Sequence, residues 1–274
     1  MRKSTVTFIV IFLSIISINT FAKTVEVLMF EYPPLQGLSK TSDIGLVPEV
    51  IKAAFKEENV DVAFKILPTQ RVINDIKTGK GLLMIGLKEY FDKDVQDTLT
   101  TYPTLHIDFL FFYKKKDFIE GFSYKNLNDL KKYSISVLLN GVTHVFAKNN
   151  NINVEGVISV DSIFKKISSG RTKLGVSEYL SGLNSIDKLY PEEKNQWACY
   201  KEKPFFSTDS LAIFSKNNPD YKIYNKLFSK GLVKIVNNGK WEKIAKKYFP
   251  NNVVDNESIN LMKEFAKKNS KTDK

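Results

Sequence analysis

The chain has 274 residues, 43% hydrophobic and 26% charged, which is enough for one large domain or two small ones around a sizeable core. That balance excludes a wholly disordered chain, a coiled coil and a collagen-like fibre. A single cysteine excludes a disulfide framework or a Cys-rich zinc module, and two histidines argue against a His-built metal site. The net charge of +11 is carried by lysines scattered among Asp and Glu, with clusters at Lys114–Lys116, Lys243–Lys247 and the tail, so a nucleic-acid interface is not indicated.

Arg2 and Lys3 precede an apolar run from Val6 to Ile18, followed by Asn19-Thr20-Phe21-Ala22. This is the layout of a secretory signal peptide cut after Ala22. The run of roughly 13 residues is short of the about 20 that span a bilayer. The sequence therefore predicts removal of residues 1–22 and a soluble, exported, periplasmic protein.

Alternation in Thr24–Phe30 predicts a strand, broken by Tyr32-Pro33-Pro34. Gly45–Glu58 has helical spacing with Pro48 in its first turn; Asp61–Leu67 reads as a strand, Gln70–Lys77 as a helix closed by Gly79, and Leu82–Gly86 as a buried strand. That order implies a parallel sheet with helices on its faces. Ile107–Tyr113 is the next strand. A second unit follows with a short helix at 127–132, a strand at 134–138, a turn at Gly141-Val142-Thr143 into a helix, a helix at 162–168, a strand at 174–177, a helix at 179–186 and a strand at 197–200. Asp209–Ser215 is a strand, Asn217 opens a long helix stopped at Gly239, and Trp241–Phe249 is a helix whose aromatics read as core. Residues 251–274 read as a polar extension with one weak amphipathic piece and a frayed end.

The order of these segments resembles the extracellular solute-binding proteins of family 3, which capture polar amino acids for ABC importers. Tyr32-Pro33-Pro34 with Gly45–Val50, Leu67–Arg71 with Ile76–Gly79, Leu130–Thr143, Ile167–Glu178 and Asn217–Phe249 carry the likeness, over roughly residues 24–250. The resemblance implies an α/β fold of the type II-like two-lobe periplasmic-binding-protein kind, each lobe a mostly parallel sheet flanked by helices, with two crossing strands as the hinge. Lobe 1 would be 23–112 plus 208–250, and lobe 2 would be 113–207. The crossings would fall near Phe111–Lys114 and Phe206–Leu211. It further implies a small-molecule ligand between the lobes, a partner ABC permease in the inner membrane, a monomer, no cofactor and no catalytic residue. In an open α/β sheet the crevice lies beyond the carboxyl ends of the strands, here Phe30, Gly86, Leu138 and Ser177.

Six residues are candidates for ligand binding. Arg71 and Arg171 are the only arginines beyond the leader, and Arg71 starts a helix near the crevice, where a bidentate fork would suit a carboxylate; a capping or solvated arginine is the alternative. Tyr32 sits just past the first strand end, where it would stack on a ligand or pack its own loop. Gly141 and Thr143 open a helix, whose free N–H groups suit an anion or need only a cap. Glu178 occupies the place where the family carries an acid for the ligand's ammonium, with a helix-start carboxylate as the alternative, and Asp209 would stand at the second crossing. The family's Thr-x-Glu-Arg stretch is replaced by Leu87-Lys88-Glu89-Tyr90-Phe91-Asp92-Lys93-Asp94, which has no arginine. The function implied is capture of a small polar solute, an amino acid or related carboxylate, for import. A ligand-sensing protein acting on a receptor or sensor kinase and a dehydratase-like enzyme are the alternatives.

Overall fold

Residues 24–37 and 44–270 are described in the structure, a computed structural model; the expected signal peptide at 1–22 lies outside them. The strands are β1 (Thr24–Met29), β2 (Asp61–Ile66), β3 (Leu83–Gly86), β4 (Leu99–Lys114), β5 (Ile135–Leu138), β6 (Glu155–Val157), β7 (Leu174–Glu178), β8 (Trp197–Tyr200) and β9 (Phe206–Ser215). The helices are α1 (Leu46–Lys56), α2 (Thr69–Lys77), α3 (Lys93–Gln96), α4 (Val142–Asn149), α5 (Val160–Ser168), α6 (Tyr179–Leu189), α7 (Tyr221–Asn237), α8 (Lys240–Lys246) and α9 (Asn256–Asn269). The strands join in the order β2-β1-β3-β9-β4-β7-β5-β6, with β8 added to β4.

Two parallel blocks flank an antiparallel middle. β2, β1 and β3 are parallel, as the strand–helix–strand order predicts, and so are β6, β5 and β7. Between them β4 and β9 run antiparallel from Leu99↔Ser215 to Phe109↔Phe206. At Phe109, β4 exchanges partners: its far half pairs with β7 and β8. The two long strands therefore pass from one α/β lobe into the other.

Side-chain alternation divides the first lobe's core. Val25, Val27, Leu83, Ile85, Ala212 and Phe214 face α1, α7 and α8, while Leu28, Met84, Leu211 and Ile213 face the layer of Val72, Ile76 and Val95 from α2 and α3. In the second lobe Leu110 and Phe112 pack on α5 and α6, and Phe111 joins an aromatic cluster with Phe122, Tyr124 and Phe205. Each fully buried side chain of this size stabilises the fold by about 1.5–3 kcal/mol.

Several elements differ from the sequence reading. β4 begins at Leu99, eight residues before the strand predicted from Ile107. Pro103, which cannot donate to a ladder, hid the earlier half. The ladder shifts between Pro103 and Leu105, and Thr104 in the bulge is tied down twice: its hydroxyl donates to Ser210 O (2.7 Å) and its carbonyl accepts from Trp241 Nε1 (2.9 Å). Residues 256–269 are not frayed. Asp255 caps α9 by accepting from Ser258 N–H (2.6 Å), and Met262 and Ala266 are buried where the helix packs on α7 and β4. Lys114, the first of the Lys114–Lys116 cluster, is buried, with its ammonium 2.6 Å from Glu193 and over the Trp197 ring. Among the described residues no helix is long and apolar enough to cross a membrane.

Candidate functional site

A cavity of about 50 Å³ lies where the two lobes meet, against the hinge strands. Ile107 and Phe109 of β4 and Ser210 of β9 form its floor. The first lobe contributes Phe30, Tyr32, Leu35, Gln36, Tyr90 and the end of β3; the second contributes Leu138, Ile163, Val176 and the start of α4 at Gly141, Val142 and Thr143. This is the crevice beyond the strand ends that the topology predicts. Phe30 and Tyr90 meet edge to face, 6.0 Å between ring centres. Among the described residues none of those lining the cavity is charged. A larger hollow of about 490 Å³ shares Phe30, Tyr32, Tyr90, Leu138 and Gly141 with it and continues outward past Thr69, Gln70, Asn140, Ser159 and Asn184. Its charged residues are Glu31, Asp161 and Lys188; the last two are paired at 2.7 Å, and the Ser185 hydroxyl also donates to Asp161 (2.8 Å).

The wall carrying Tyr32 and Gln36 is built from local chemistry. Tyr32 and Gln36 exchange backbone hydrogen bonds of 2.8 and 3.1 Å across the Pro33-Pro34 turn. The first N–H groups of α1 have no partners in their own helix. Those of Leu46 and Val47 donate to Pro34 O (3.0 Å) and Leu35 O (2.9 Å), so the loop is fastened to the helix start. Gly45 permits this: its φ is +91°, and a Cβ there would lie 2.8 Å from the Gln36 Cα. Gln36 is thereby held only 3% exposed, and its Oε1 is buried with no hydrogen-bond partner.

Tyr32, Gly141 and Thr143 line the cavity. The Tyr32 phenol faces Ser177 and Glu178 of β7 across the gap between lobes; burial first, then the Glu178 carboxylate and Tyr90, raise its pKa above the ordinary phenol range. Thr143 is buried at the start of α4.

Arg71, Glu178 and Asp209 are elsewhere. Arg71 points out of α2 with its side chain 59% exposed and lies 3.8 Å from Asp75 one turn on, so the alternative of a solvated arginine is the observed one. Glu178 is buried and caps α6: Oε1 accepts from Leu180 N–H (2.9 Å) and Oε2 from Ser181 N–H (2.8 Å). Burial pushes its pKa up to about 7, against the lowering effect of those two bonds. Asp209 stands on the other face of the hinge ladder, opposite His106, whose Nδ1 is 2.9 Å away. His106 Nε2 is 3.4 Å from Asp108 Oδ1. Hydrogen bonds to Asp108 and then Asp209 raise the His106 pKa to about 10. His106, Asp108 and Glu178 line a separate hollow of about 440 Å³ closed by residues 249–257.

Sequence reasoning missed Gln36, Tyr90 and the hinge pair Ile107 and Phe109. Tyr90 stands in the stretch where the family's arginine is absent, while Lys88 and Lys93 of that stretch are exposed. Gln36 gave no signal, because only the docking of its loop onto α1 turns it inward.

No protein-family model matches the chain, and no curated protein matches it in sequence. Solved structures do. A histidine kinase sensor domain with similarity to periplasmic binding proteins superimposes with a TM-score of 0.66 at 14% identity, over 82% of this chain and 96% of that one. The arginine-, lysine-, histidine-binding protein ArtJ from Geobacillus stearothermophilus gives 0.66 at 17% identity, over 88% and 100%. An ancestral arginine-binding protein bound to arginine gives 0.64 at 21% identity, over 83% and 98%. The chain has the two-lobe periplasmic-binding-protein fold.

Proposed function

We propose that this chain is an extracytoplasmic solute-binding protein that captures a small solute by closure of two lobes and delivers it to an ABC importer without turning it over. The observation that carries this reading is the interlobe cavity, whose walls come from both lobes and whose floor is the pair of crossing strands. Rotation about β4 and β9 would open and close such a site. In this reading the lobes divide near Phe109 on β4 and Phe206 on β9, with α9 part of the first lobe, the leader is cut after Ala22, and the protein works as a periplasmic monomer. Amino acids and related carboxylates are the first compounds to try. A carboxylate would meet the start of α4 beside Gly141, where the first-turn N–H groups of Val142 and Thr143 favour negative charge.

The test is a thermal-shift screen of the purified protein against amino acids, small carboxylates, amides, amines and short peptides. A ligand that binds only the folded state raises the melting temperature by mass action. Small-angle scattering with and without each hit reads closure directly. A hit that contracts the particle supports the reading; a full panel with neither a shift nor a contraction overturns it. A sensing role is the second reading, favoured by the likeness to a histidine kinase sensor domain. Ligand-dependent binding to a sensor's periplasmic domain, and none to a permease, would select it.

A further inference from the structure

We infer that the inner cavity takes an uncharged, mainly apolar group bearing one neutral hydrogen-bonding function, such as a carboxamide or hydroxyl, and does not take the ammonium end of an amino acid. This rests on the solute-binding reading and narrows it.

Charge is the first argument. A buried ammonium needs an anion within hydrogen-bond reach, and an isolated one costs several kcal/mol or more to desolvate. The described lining holds no carboxylate. The buried Glu178, which faces the Tyr32 phenol, accepts two backbone N–H bonds from α6 and lines the hollow beside His106 rather than this cavity. Nor does the described lining offer a cation to clamp a carboxylate: Arg71 is on the surface of α2, paired with Asp75.

The second argument is Gln36. A primary amide offers both a donor and an acceptor, and a buried, unpaired polar atom costs free energy that a ligand can recover. Gln36 lines the cavity, is almost wholly buried, and its Oε1 has no partner. A neutral group with a matching donor and acceptor complements it at no charge cost. Across the cavity the start of α4, with Val142 and Thr143, offers N–H groups to a carbonyl or hydroxyl oxygen. Between these two polar points the walls are Phe30, Ile85, Ile107 and Phe109, suited to an alkyl or aromatic body. Charged parts of a longer solute would reach the outer hollow, whose mixed lining includes Glu31, Asp161 and Lys188.

Three probes share one branched carbon skeleton and differ in charge: isovaleramide, isovalerate and valine. Their dissociation constants for the purified full chain are read by ligand-observed NMR titration. The inference expects isovaleramide to bind at least about tenfold more tightly than valine and more tightly than isovalerate. Gln36→Met, which keeps length and removes the amide, should weaken isovaleramide by about tenfold while circular dichroism and melting stay near wild type. If Gln36→Met fails to fold, Gln36→Glu replaces it: a buried acid should weaken isovalerate more than isovaleramide. Tightest binding by valine would overturn the inference and leave the solute-binding reading standing. No binding by any of the three also overturns it, whereas only an empty broad screen without closure overturns the reading beneath it.

Discussion

Replacing His106 with Asn tests the electrostatics of the hinge. His106 sits on β4 with its side chain 22% exposed, between Asp209 at 2.9 Å and Asp108 at 3.4 Å, and its pKa is raised to about 10. A hydrogen bond to a charged group contributes about 1.5–3 kcal/mol when well buried. Both aspartates are about a third exposed, so solvent screening reduces the pair to about 2 kcal/mol in total. For a chain of this size each kcal/mol moves the melting temperature by about 2–4 °C, which gives a loss of about 4–8 °C for His106→Asn at pH 6. The folded protein holds this proton more tightly than the unfolded chain, whose histidine titrates near 6.5. The stabilisation is therefore fully present below about pH 6.5 and is lost as pH rises through about 10. Melting of wild type and His106→Asn by calorimetry from pH 6 to 10.5 should show the gap closing. A gap of the same size at both ends would refute the charged imidazolium and leave only shape complementarity.

Gly231 on α7 lies against α1, and a Cβ there would fall 1.9 Å from Ala54 O; Gly231→Ala should lower the melting temperature despite a helix-propensity gain of about 1 kcal/mol, with a net cost of about 1–3 kcal/mol in urea denaturation. Arg71→Ala should leave the affinity for any compound found in the thermal-shift screen within about twofold, since the side chain is solvated, and a loss beyond about tenfold would return Arg71 to the site. Glu178→Gln removes a carboxyl whose folded pKa, about 7, exceeds its usual value; wild-type stability should therefore decline relative to Glu178→Gln as pH rises from about 4.5 through 7, and a decline in the opposite direction would mean that the two N–H bonds outweigh burial.

Much of the fold was legible before any coordinates. β1, α1, β2, α2 and β3 follow period-2 and period-3.6 patterns with Gly45 and Gly79 at their boundaries, and those periods report which face each segment buries. The parallel pairing of β1 with β2 and β3 followed from the alternation of strand and helix. That Tyr32, Gly141 and Thr143 would stand by the interlobe crevice was legible because they follow strand ends. Arg71, Glu178 and Asp209 lie outside the lining of this cavity for one reason: residue type reports what a side chain can do, not which way it faces. Arg71 can clamp a carboxylate, yet its place on α2 turns it to solvent beside Asp75. Glu178 can hold an ammonium, yet its carboxylate caps the helix that follows and lines a different hollow.

The sequence by itself determined the class of fold, the order of its elements and the strand ends between which a crevice must lie, because these depend on local periodicity and chain connectivity. Tertiary structure alone decided that β4 runs through Pro103 as one strand, since β9 supplies the bulged ladder and Trp241 the bond to Thr104. It also decided that α9 is a packed helix, because Met262 and Ala266 gain a surface to bury against only once α7 and β4 are assembled. It decided, finally, the character of the site. Gln36 and Phe109 face the cavity while Asp209 and Glu178 do not, because loop docking and strand register, which join residues far apart in the chain, fix the direction of each side chain.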